Sequence, residues 1–256
     1  MEYLTTYLYP SSEAVTRPRL QQLLRVFLEE YRWVEPIRYG ASDLRKRLVP
    51  GRIDYEALAD FYEGYQGLCI GAHTDQHYIW VFAPNADRAG FSGGTLIWAT
   101  AVSEAERPDW RSRHLEHVAR VMRDTDSPLA VSSLEEDQER KTRRLVPHPR
   151  GVGKSEVPTV IMPGEGLAGL FWRNFYGPPF TRLFGERLLS LPPGTHQDLG
   201  DGLALVQPYE LPSQARTPEG DAAEARLITV LGPECFYDHA RHQKPSRVPV
   251  LSPAPA

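Results

Sequence analysis

Two neighbouring runs of residues are apolar on both faces of a strand, and they constrain the fold more than any other feature. Residues 78–82 are Tyr-Ile-Trp-Val-Phe, and residues 95–102 are Thr-Leu-Ile-Trp-Ala-Thr-Ala-Val. Side chains alternate between the two faces of a strand, so a run that is apolar throughout needs cover on each face. The link at 84–94 is rich in Gly, Asn and Asp, which favours a hairpin loop. The pattern predicts a central sheet covered at least partly on both sides.

Segments whose apolar residues have helical spacing precede and follow these runs in the sequence. Apolar residues recur every three or four positions over residues 20–31, and Asp54 is a candidate N-cap for a second helix. A third helix begins near Asp109, and the last extends from about Thr217 to Leu231. Hairpins outnumber crossovers, so we predict an α+β fold with a mostly antiparallel central sheet flanked by helices. The order of elements also allows two related α/β halves.

The second half of the chain has shorter elements. Leu167, Leu170, Phe171 and Phe175 predict a short helix that ends at Gly177. The following Pro-Pro pair is expected to start another helix, because proline is favoured at the first helical position. Further along, Gly-Asp-Gly between two apolar runs predicts a tight turn.

Composition divides the chain into four segments. We predict an N-terminal α+β half at 1–133 and a C-terminal α+β half at 166–242. Between them, residues 134–165 form a charged insertion or linker rich in proline and glycine. Residues 243–256 form a proline-rich tail.

Bulk composition excludes several classes of protein. The chain has 256 residues, of which 41% are hydrophobic and 24% charged, and a formal net charge of −4. This composition is that of a globular protein, and it disfavours a dedicated nucleic-acid binder, which is usually basic. No apolar run reaches the roughly 18 residues of a membrane helix. Two cysteines, Cys69 and Cys235, and an N-terminus without a secretory pattern predict a cytoplasmic protein.

Sequence motifs for catalysis are incomplete. Gly153-Lys154-Ser155 ends like a phosphate-binding loop, but His148 stands where the pattern needs a glycine. No Gly-x-Ser-x-Gly nucleophile motif occurs. His114 and His117 do not have the spacing of a zinc-protease helix, and a solvated helix edge is the expected place for them. We therefore predict a protein without enzymatic activity and without a cofactor.

One cluster keeps a metal-dependent enzyme as an alternative. His73, Asp75 and His77 alternate along the sequence, and in a strand all three side chains would share one face. Two histidines and a carboxylate form the facial triad that binds transition metals. The competing interpretation is a polar hairpin turn, in which this alternation has no meaning.

Several phrases of the second half resemble a known family. They are Phe-Tyr-Gly-Pro-Pro at 175–179, Leu-Leu-Ser-Leu-Pro at 188–192 and Leu-Gly-Asp-Gly-Leu-Ala-Leu-Val at 199–206. This layout, with the leucine-rich N-terminal helix and Leu-Gly-Pro-Glu-Cys-Phe-Tyr-Asp at 231–238, is similar to bacterial polymorphic-toxin immunity proteins, of the immunity protein 52 family and its relatives. The likeness covers about two-thirds of the chain, and the 134–165 segment departs from it. It implies a cytosolic protein that binds and neutralises one cognate toxin without catalysis.

The resemblance directs attention to residues that could bind such a toxin. Many of these toxins are nucleases with basic clefts, so acidic groups would steer the encounter. The candidate acidic residues are Glu135, Glu136, Asp137 and Glu139, together with Asp60 and Glu63. Trp172 and Tyr176 are of the types found at interface hot spots, although a place in the core explains them equally well. Neither direct nucleic-acid binding nor membrane contact is expected. A structural component of a secretion or phage-like assembly is the second alternative.

Overall fold

The computed structural model describes residues 3–11, 15–41, 43–49, 51–74, 77–83, 94–148 and 151–251. The helices are α1 (Arg17–Arg25), α2 (Tyr55–Tyr65), α3 (Val102–Ala105), α4 (Pro108–Asp124), α5 (Glu135–Thr142), α6 (Pro178–Phe184) and α7 (Pro218–Leu231). The strands are β1 (Tyr3–Leu8), β2 (Arg38–Gly40), β3 (Lys46–Arg47), β4 (Gly67–Gly71), β5 (Tyr78–Phe82), β6 (Thr95–Ala101), β7 (Leu129–Leu134), β8 (Arg143–Pro147), β9 (Lys154–Pro158), β10 (Arg173–Tyr176), β11 (His196–Gly200) and β12 (Leu203–Val206). The fold is α+β with mostly antiparallel strand pairing, which confirms the predicted class.

The chain divides into two compact units. The first holds the residues up to Val131 and the second begins at Ser132, so the boundary lies within β7. No helix within the described ranges combines the length and the apolar character that crossing a membrane requires.

The first unit is built on the two apolar runs, which are β5 and β6. Its strands follow the order β1-β6-β5-β4-β2-β3, and β1 pairs antiparallel with β6 from Tyr3 opposite Ala101. Ile79, Val81 and Trp98 from the paired β5 and β6 are buried, so these strands form the centre of the core. Most of the predicted loop between them, 84–93, lies outside the described residues.

Helices α2 and α4 of the first unit begin where the sequence indicates. The Asp54 carboxylate caps α2 by accepting a hydrogen bond from the backbone N–H of Ala57 (3.0 Å). The third predicted helix is α4, and its buried face includes two histidines beside Val118 and Met122. His114 and His117 are fully buried, so the prediction of a solvated edge is wrong. They lie one turn apart on the face of α4 that also buries Trp110 and Val121, and packing on that face overrides their polar character.

The second unit contains one element that the sequence mispredicts. Residues 173–176 form strand β10 instead of the end of a helix, and Phe175 pairs with Leu205 of β12. All four residues of β10 are buried, and a short apolar run of this kind does not distinguish a buried strand from a buried helix. The Asn174 side chain reinforces the pairing, because its amide nitrogen donates to the Val206 carbonyl (3.0 Å).

The other turns and caps of this unit agree with the sequence. Helix α6 starts at Pro178, and the Thr217 hydroxyl caps α7 by accepting from the Gly220 N–H (3.0 Å). Strands β11 and β12 form a hairpin through Gly200-Asp201-Gly202, and these three residues have φ values of 80°, 53° and 73°. Glycine adopts positive φ without steric cost, which makes this tight turn accessible.

Candidate partner-binding surface

Helix α5 has no apolar residue, so hydrophobic burial cannot hold it on the second unit. Its sequence is Glu-Glu-Asp-Gln-Glu-Arg-Lys-Thr, and yet Asp137 and Lys141 are buried. A buried charge is costly unless it is paired and hydrogen-bonded. The position of α5 must therefore depend on where these two side chains find partners.

Lys141 has an acceptor for each of its three ammonium protons. Its Nζ lies 2.8 Å from Asp137 Oδ2 and 2.8 Å from the Glu224 carboxylate, and it also donates to the Leu170 carbonyl. Asp137 is one helical turn before Lys141, whereas Glu224 belongs to α7. The ammonium group thus satisfies its full donor capacity and joins α5 to α7.

The carboxylate of Glu224 has a second partner. The Tyr209 hydroxyl donates to Glu224 Oε1 over 2.8 Å. Burial is the main cause that raises the pKa of Glu224, and the nearby Asp137 acts in the same direction, while Lys141 lowers it. Burial also raises the pKa of Tyr209, so its hydroxyl keeps the proton that it donates.

Arg140 forms further ion pairs at the edge of the same cluster. Arg140 donates to Asp137 Oδ1 (2.8 Å) and to Asp221 Oδ1 on α7 (3.0 Å). Asp137 therefore accepts from both cations of α5, one on each oxygen. We call Asp137, Arg140, Lys141, Tyr209 and Glu224 the ion cluster. It fixes one side of α5 to the second unit and turns the other side outward.

The outward side of α5 carries the remaining acidic candidates. Glu135, Glu136 and Glu139 are exposed, whereas Asp137 belongs to the ion cluster and is inaccessible to a partner. Glu136 pairs with Arg216, and Glu139 pairs with Arg143 over 3.4 Å. Exposed ion pairs of this type contribute little to stability, so a partner can replace them at low cost.

The other acidic candidates lie on α2 in the first unit. Asp60 and Glu63 are exposed, and both accept from the Arg17 guanidinium of α1 together with Glu56. A hydrogen bond from Gln21 and then the contact with Arg17 lower the pKa of Glu56. One arginine thus bridges three carboxylates along the helix, and the patch keeps an excess of negative charge.

The two aromatic candidates belong to the core of the second unit. Trp172 is fully buried, and its indole N–H donates to the Glu210 carbonyl over 2.9 Å. Tyr176 is also fully buried, and it packs against Phe180 and Phe184. Neither side chain presents surface to a partner in this structure, so the core interpretation applies to both.

Tyr176 supports a prediction on stability, because its buried hydroxyl has no hydrogen-bond partner within the described part of the chain. An unsatisfied buried hydroxyl costs about 1–3 kcal/mol. We expect Tyr176→Phe to leave the free energy of unfolding unchanged or to raise it by about 1 kcal/mol. Urea unfolding followed by circular dichroism measures this difference. A loss of stability would show that the hydroxyl has a partner. Tyr209→Phe, which breaks the bond to Glu224, is the matched control and should destabilise the protein.

The metal alternative includes Asp75, which lies outside the described residues. Of its two histidines, His73 is exposed and His77 is half-buried. The backbone N–H of Ala72 donates to the His77 carbonyl over 3.1 Å, and the two histidines lie between β4 and β5 along the chain. Among the described residues, no group of three or more His, Cys, Asp or Glu side chains is placed to hold a metal ion.

Sequence reasoning missed the residues that hold α5 in place. Lys141, Tyr209 and Glu224 are separated by up to 83 positions, and no local pattern connects them. One signal was present: α5 is a helical segment without an apolar residue, which must be either free in solvent or held by polar contacts.

Comparisons with known proteins give a fold relationship. No family model matches the chain, and no curated protein matches it. Among solved structures, the chain is similar to the Pseudomonas aeruginosa T6SS protein PA0821, with a TM-score of 0.58 and 12% sequence identity. The match covers 90% of this chain and 72% of that one. At this level of identity the likeness concerns the fold, and the resemblance to the immunity protein 52 family stays a prediction.

Proposed function

We propose that this chain is an immunity protein that binds one cognate bacterial toxin and neutralises it by protein–protein contact, without catalysis. The observation that carries the proposal is the fold, which is shared over 90% of the chain with a protein of a type VI secretion system. Such systems deliver toxic proteins between bacteria, and a cell that does so needs inhibitors in its own cytoplasm. The sequence resemblance to immunity proteins supports the same role.

The acidic face of α5 supports the mode of binding. Three exposed carboxylates, from Glu135, Glu136 and Glu139, lie on a helix whose opposite side the ion cluster holds in place. A fixed array of like charges accelerates association with a surface of opposite charge. A toxin with a basic cleft, such as a nuclease, is therefore the proposed partner of this face, and the α2 carboxylates Asp60 and Glu63 are a second candidate patch.

The direct test mixes the purified chain with the product of the toxin gene next to its own gene. We expect a complex at micromolar concentration in size-exclusion chromatography and loss of the toxin's activity. Reversing Glu135, Glu136 and Glu139 to lysine should slow association and weaken its dependence on salt. A matched reversal of Asp60 and Glu63 reports on the α2 patch. Absence of any complex with the wild-type chain would refute the proposal.

A structural component of the secretion apparatus is the second candidate, because the same fold relationship supports it. A component of this kind assembles with copies of itself or with other apparatus proteins. Size-exclusion chromatography of the chain alone separates the two functions. Large oligomers would favour the assembly role, whereas a monomer that binds the toxin would favour the immunity role.

A further inference from the structure

Strand β3 is the outermost strand of the first unit, and the chain around it is strongly basic. The sheet order ends at β3, which pairs with β2 on its inner side. Arg45, Lys46, Arg47 and Arg52 are all exposed, and we call these four residues the basic edge. The chain as a whole has a formal net charge of −4, so the basic edge is a local concentration of the opposite sign.

Within the described ranges, the positive charge of the basic edge is compensated at one residue. Asp43 lies 2.6 Å from the Nε atom of Arg45. Lys46, Arg47 and Arg52 form no ion pair with another described residue. The basic edge therefore keeps an excess of positive charge, which attracts an anionic partner.

The register of β3 gives Lys46 and Arg47 different surroundings. The Nζ atom of Lys46 lies 4.8 Å from the centre of the Phe61 ring on α2, so a cation–π contact holds this side chain on the helix side of the sheet. Arg47 is the next residue along the strand, and its side chain points to the opposite face. Because Arg47 lies opposite Arg38 of β2, two guanidinium groups belong to that face.

The backbone of Arg47 is oriented to pair with a further strand. The Leu48 N–H donates to the Ile37 carbonyl over 2.9 Å. Arg38 and Arg47 are therefore a pair of the non-hydrogen-bonded kind, in which the N–H and C=O groups of Arg47 point away from β2. Outward-pointing groups on an edge strand bind extended peptides by strand addition.

Charge determines which kind of strand can be added. Cations on an edge strand oppose pairing with a like-charged strand, which includes β3 of a second copy of the chain. A strand with carboxylates on one face gains cross-strand contacts to Arg47 while its backbone pairs with the same residue.

A nucleic acid fits the basic edge less well than an acidic peptide does. It has no backbone amide to donate to the Arg47 carbonyl. Asp60 and Glu63 are exposed on α2 in the same unit, and they repel a long polyanion.

We propose that the basic edge is a docking site for an extended acidic segment of another protein, which adds to β3 as a further strand. Carboxylates on this segment would lie opposite Arg47 and near Arg45 and Arg52. The inference goes beyond the proposed function, because the acidic surfaces of α2 and α5 fit a basic partner and this site fits an acidic one. Its test requires no toxin.

The test measures binding of labelled eight-residue peptides to the full chain by fluorescence anisotropy. We expect a peptide of alternating Glu and Thr to bind with a Kd below about 1 mM in ~50 mM salt, and several-fold more weakly in ~300 mM salt. Alternation places all its glutamates on one face of a strand. The control peptide, with its Glu residues in one block and its Thr residues in another, divides them between two faces and should bind about fivefold more weakly or less.

Substitutions in the chain locate the site. Arg47→Glu is expected to weaken binding of the alternating peptide by about tenfold or more, and it replaces a like-charge pair with an opposite-charge one, so the melting curve should not fall. Arg226→Glu is the matched control, because Arg226 is exposed in the second unit, and its affinity should equal that of the wild type. Amide exchange followed by NMR should slow at Arg47 when the peptide binds, since the added strand accepts from that N–H.

Several results would overturn the inference. One is a wild-type chain that does not bind the alternating peptide, and another is equal affinity for the alternating and block peptides, which would mean attraction by charge alone. Binding that Arg47→Glu leaves unchanged would place the peptide elsewhere. Tighter binding of an oligothymidylate of the same length would assign the basic edge to nucleic acid, and self-association that Arg47→Glu abolishes would assign it to a second copy. The proposed immunity function is tested separately by the toxin complex.

Discussion

Replacing Lys141 with methionine is expected to lower the free energy of unfolding by about 3–5 kcal/mol. The substitution keeps an unbranched side chain, one atom shorter, and removes its charge. Asp137 would then keep only Arg140 as a cationic partner, Glu224 would lose the group that lowers its pKa, and the Leu170 carbonyl would lose its donor. The cost is that of uncompensated buried charge, which exceeds the net contribution of the intact pair.

Urea unfolding of the wild type and the variant measures this effect. Lys154→Met is the matched control, because Lys154 is exposed and outside any described ion pair, and a change within about 0.5 kcal/mol is expected. A loss of less than about 1 kcal/mol for Lys141→Met would mean that the ion cluster does not hold α5. In that case the acidic face would lose its fixed position, so the experiment also bears on the proposed mode of binding.

Stability of the first unit is expected to decrease with acid because of His117. Its ring is fully buried and stacks on Tyr31 at 4.2 Å between centroids, with the edge of Phe27 at 4.3 Å. Neither ring nitrogen has a hydrogen-bond partner among the described residues. Burial is the main cause that lowers the pKa of His117 well below 6.5, and Arg120 and Arg113 act in the same direction.

The sign of the pH dependence follows from this shift. A histidine whose pKa is lowered by folding binds more protons in the unfolded state, so stability rises with pH over that interval. The contribution of His117 is fully present above pH 6.5 and is lost as the pH falls from 6.5 toward the folded-state pKa. The slope over this interval is at most about 1.4 kcal/mol per pH unit, because one proton per molecule is bound on unfolding.

A variant without the titrating ring isolates this contribution from that of the carboxylates. We expect His117→Phe to flatten the dependence of stability between pH 6.5 and 4.5 relative to the wild type. His242→Asn is the control: His242 is exposed with φ 56°, a conformation that asparagine tolerates, and the wild-type slope should be retained. Parallel pH profiles for the wild type and His117→Phe would contradict the assignment.

The predictable part of the fold rested on local signals that a short stretch of chain contains in full. The Asp54 and Thr217 caps and the Gly-Asp-Gly turn at 200–202 place their elements correctly, because the stabilising groups lie within three residues of each other. The apolar runs of β5 and β6 identified the centre of the sheet for a similar reason. Consecutive side chains point to opposite faces of a strand, and in these runs the side chains on both faces are apolar.

The errors arose where distant residues decide the outcome. Residues 173–176 form β10 because β12 supplies their partners, and the run itself fits a helix equally well. His114 and His117 look like polar positions of a helix edge, yet the aromatic side chains that enclose His117 come from residues 27–33 and from Trp98. Asp137 was grouped with exposed acids because its neighbours are acidic, and only the position of Lys141 against Glu224 shows that it is buried.

The sequence by itself determined the α+β class, the main caps and turns, and the absence of complete catalytic motifs. The tertiary structure decided which charges are buried and which remain available. An eight-residue helix of polar residues has no hydrophobic stripe to orient it, so its sequence leaves both faces equivalent. The ion cluster breaks this equivalence, because α7 presents Glu224 to one side of α5 and leaves Glu135, Glu136 and Glu139 on the other. Electrostatic contacts between segments about 80 residues apart thus create the surface on which the proposed function depends.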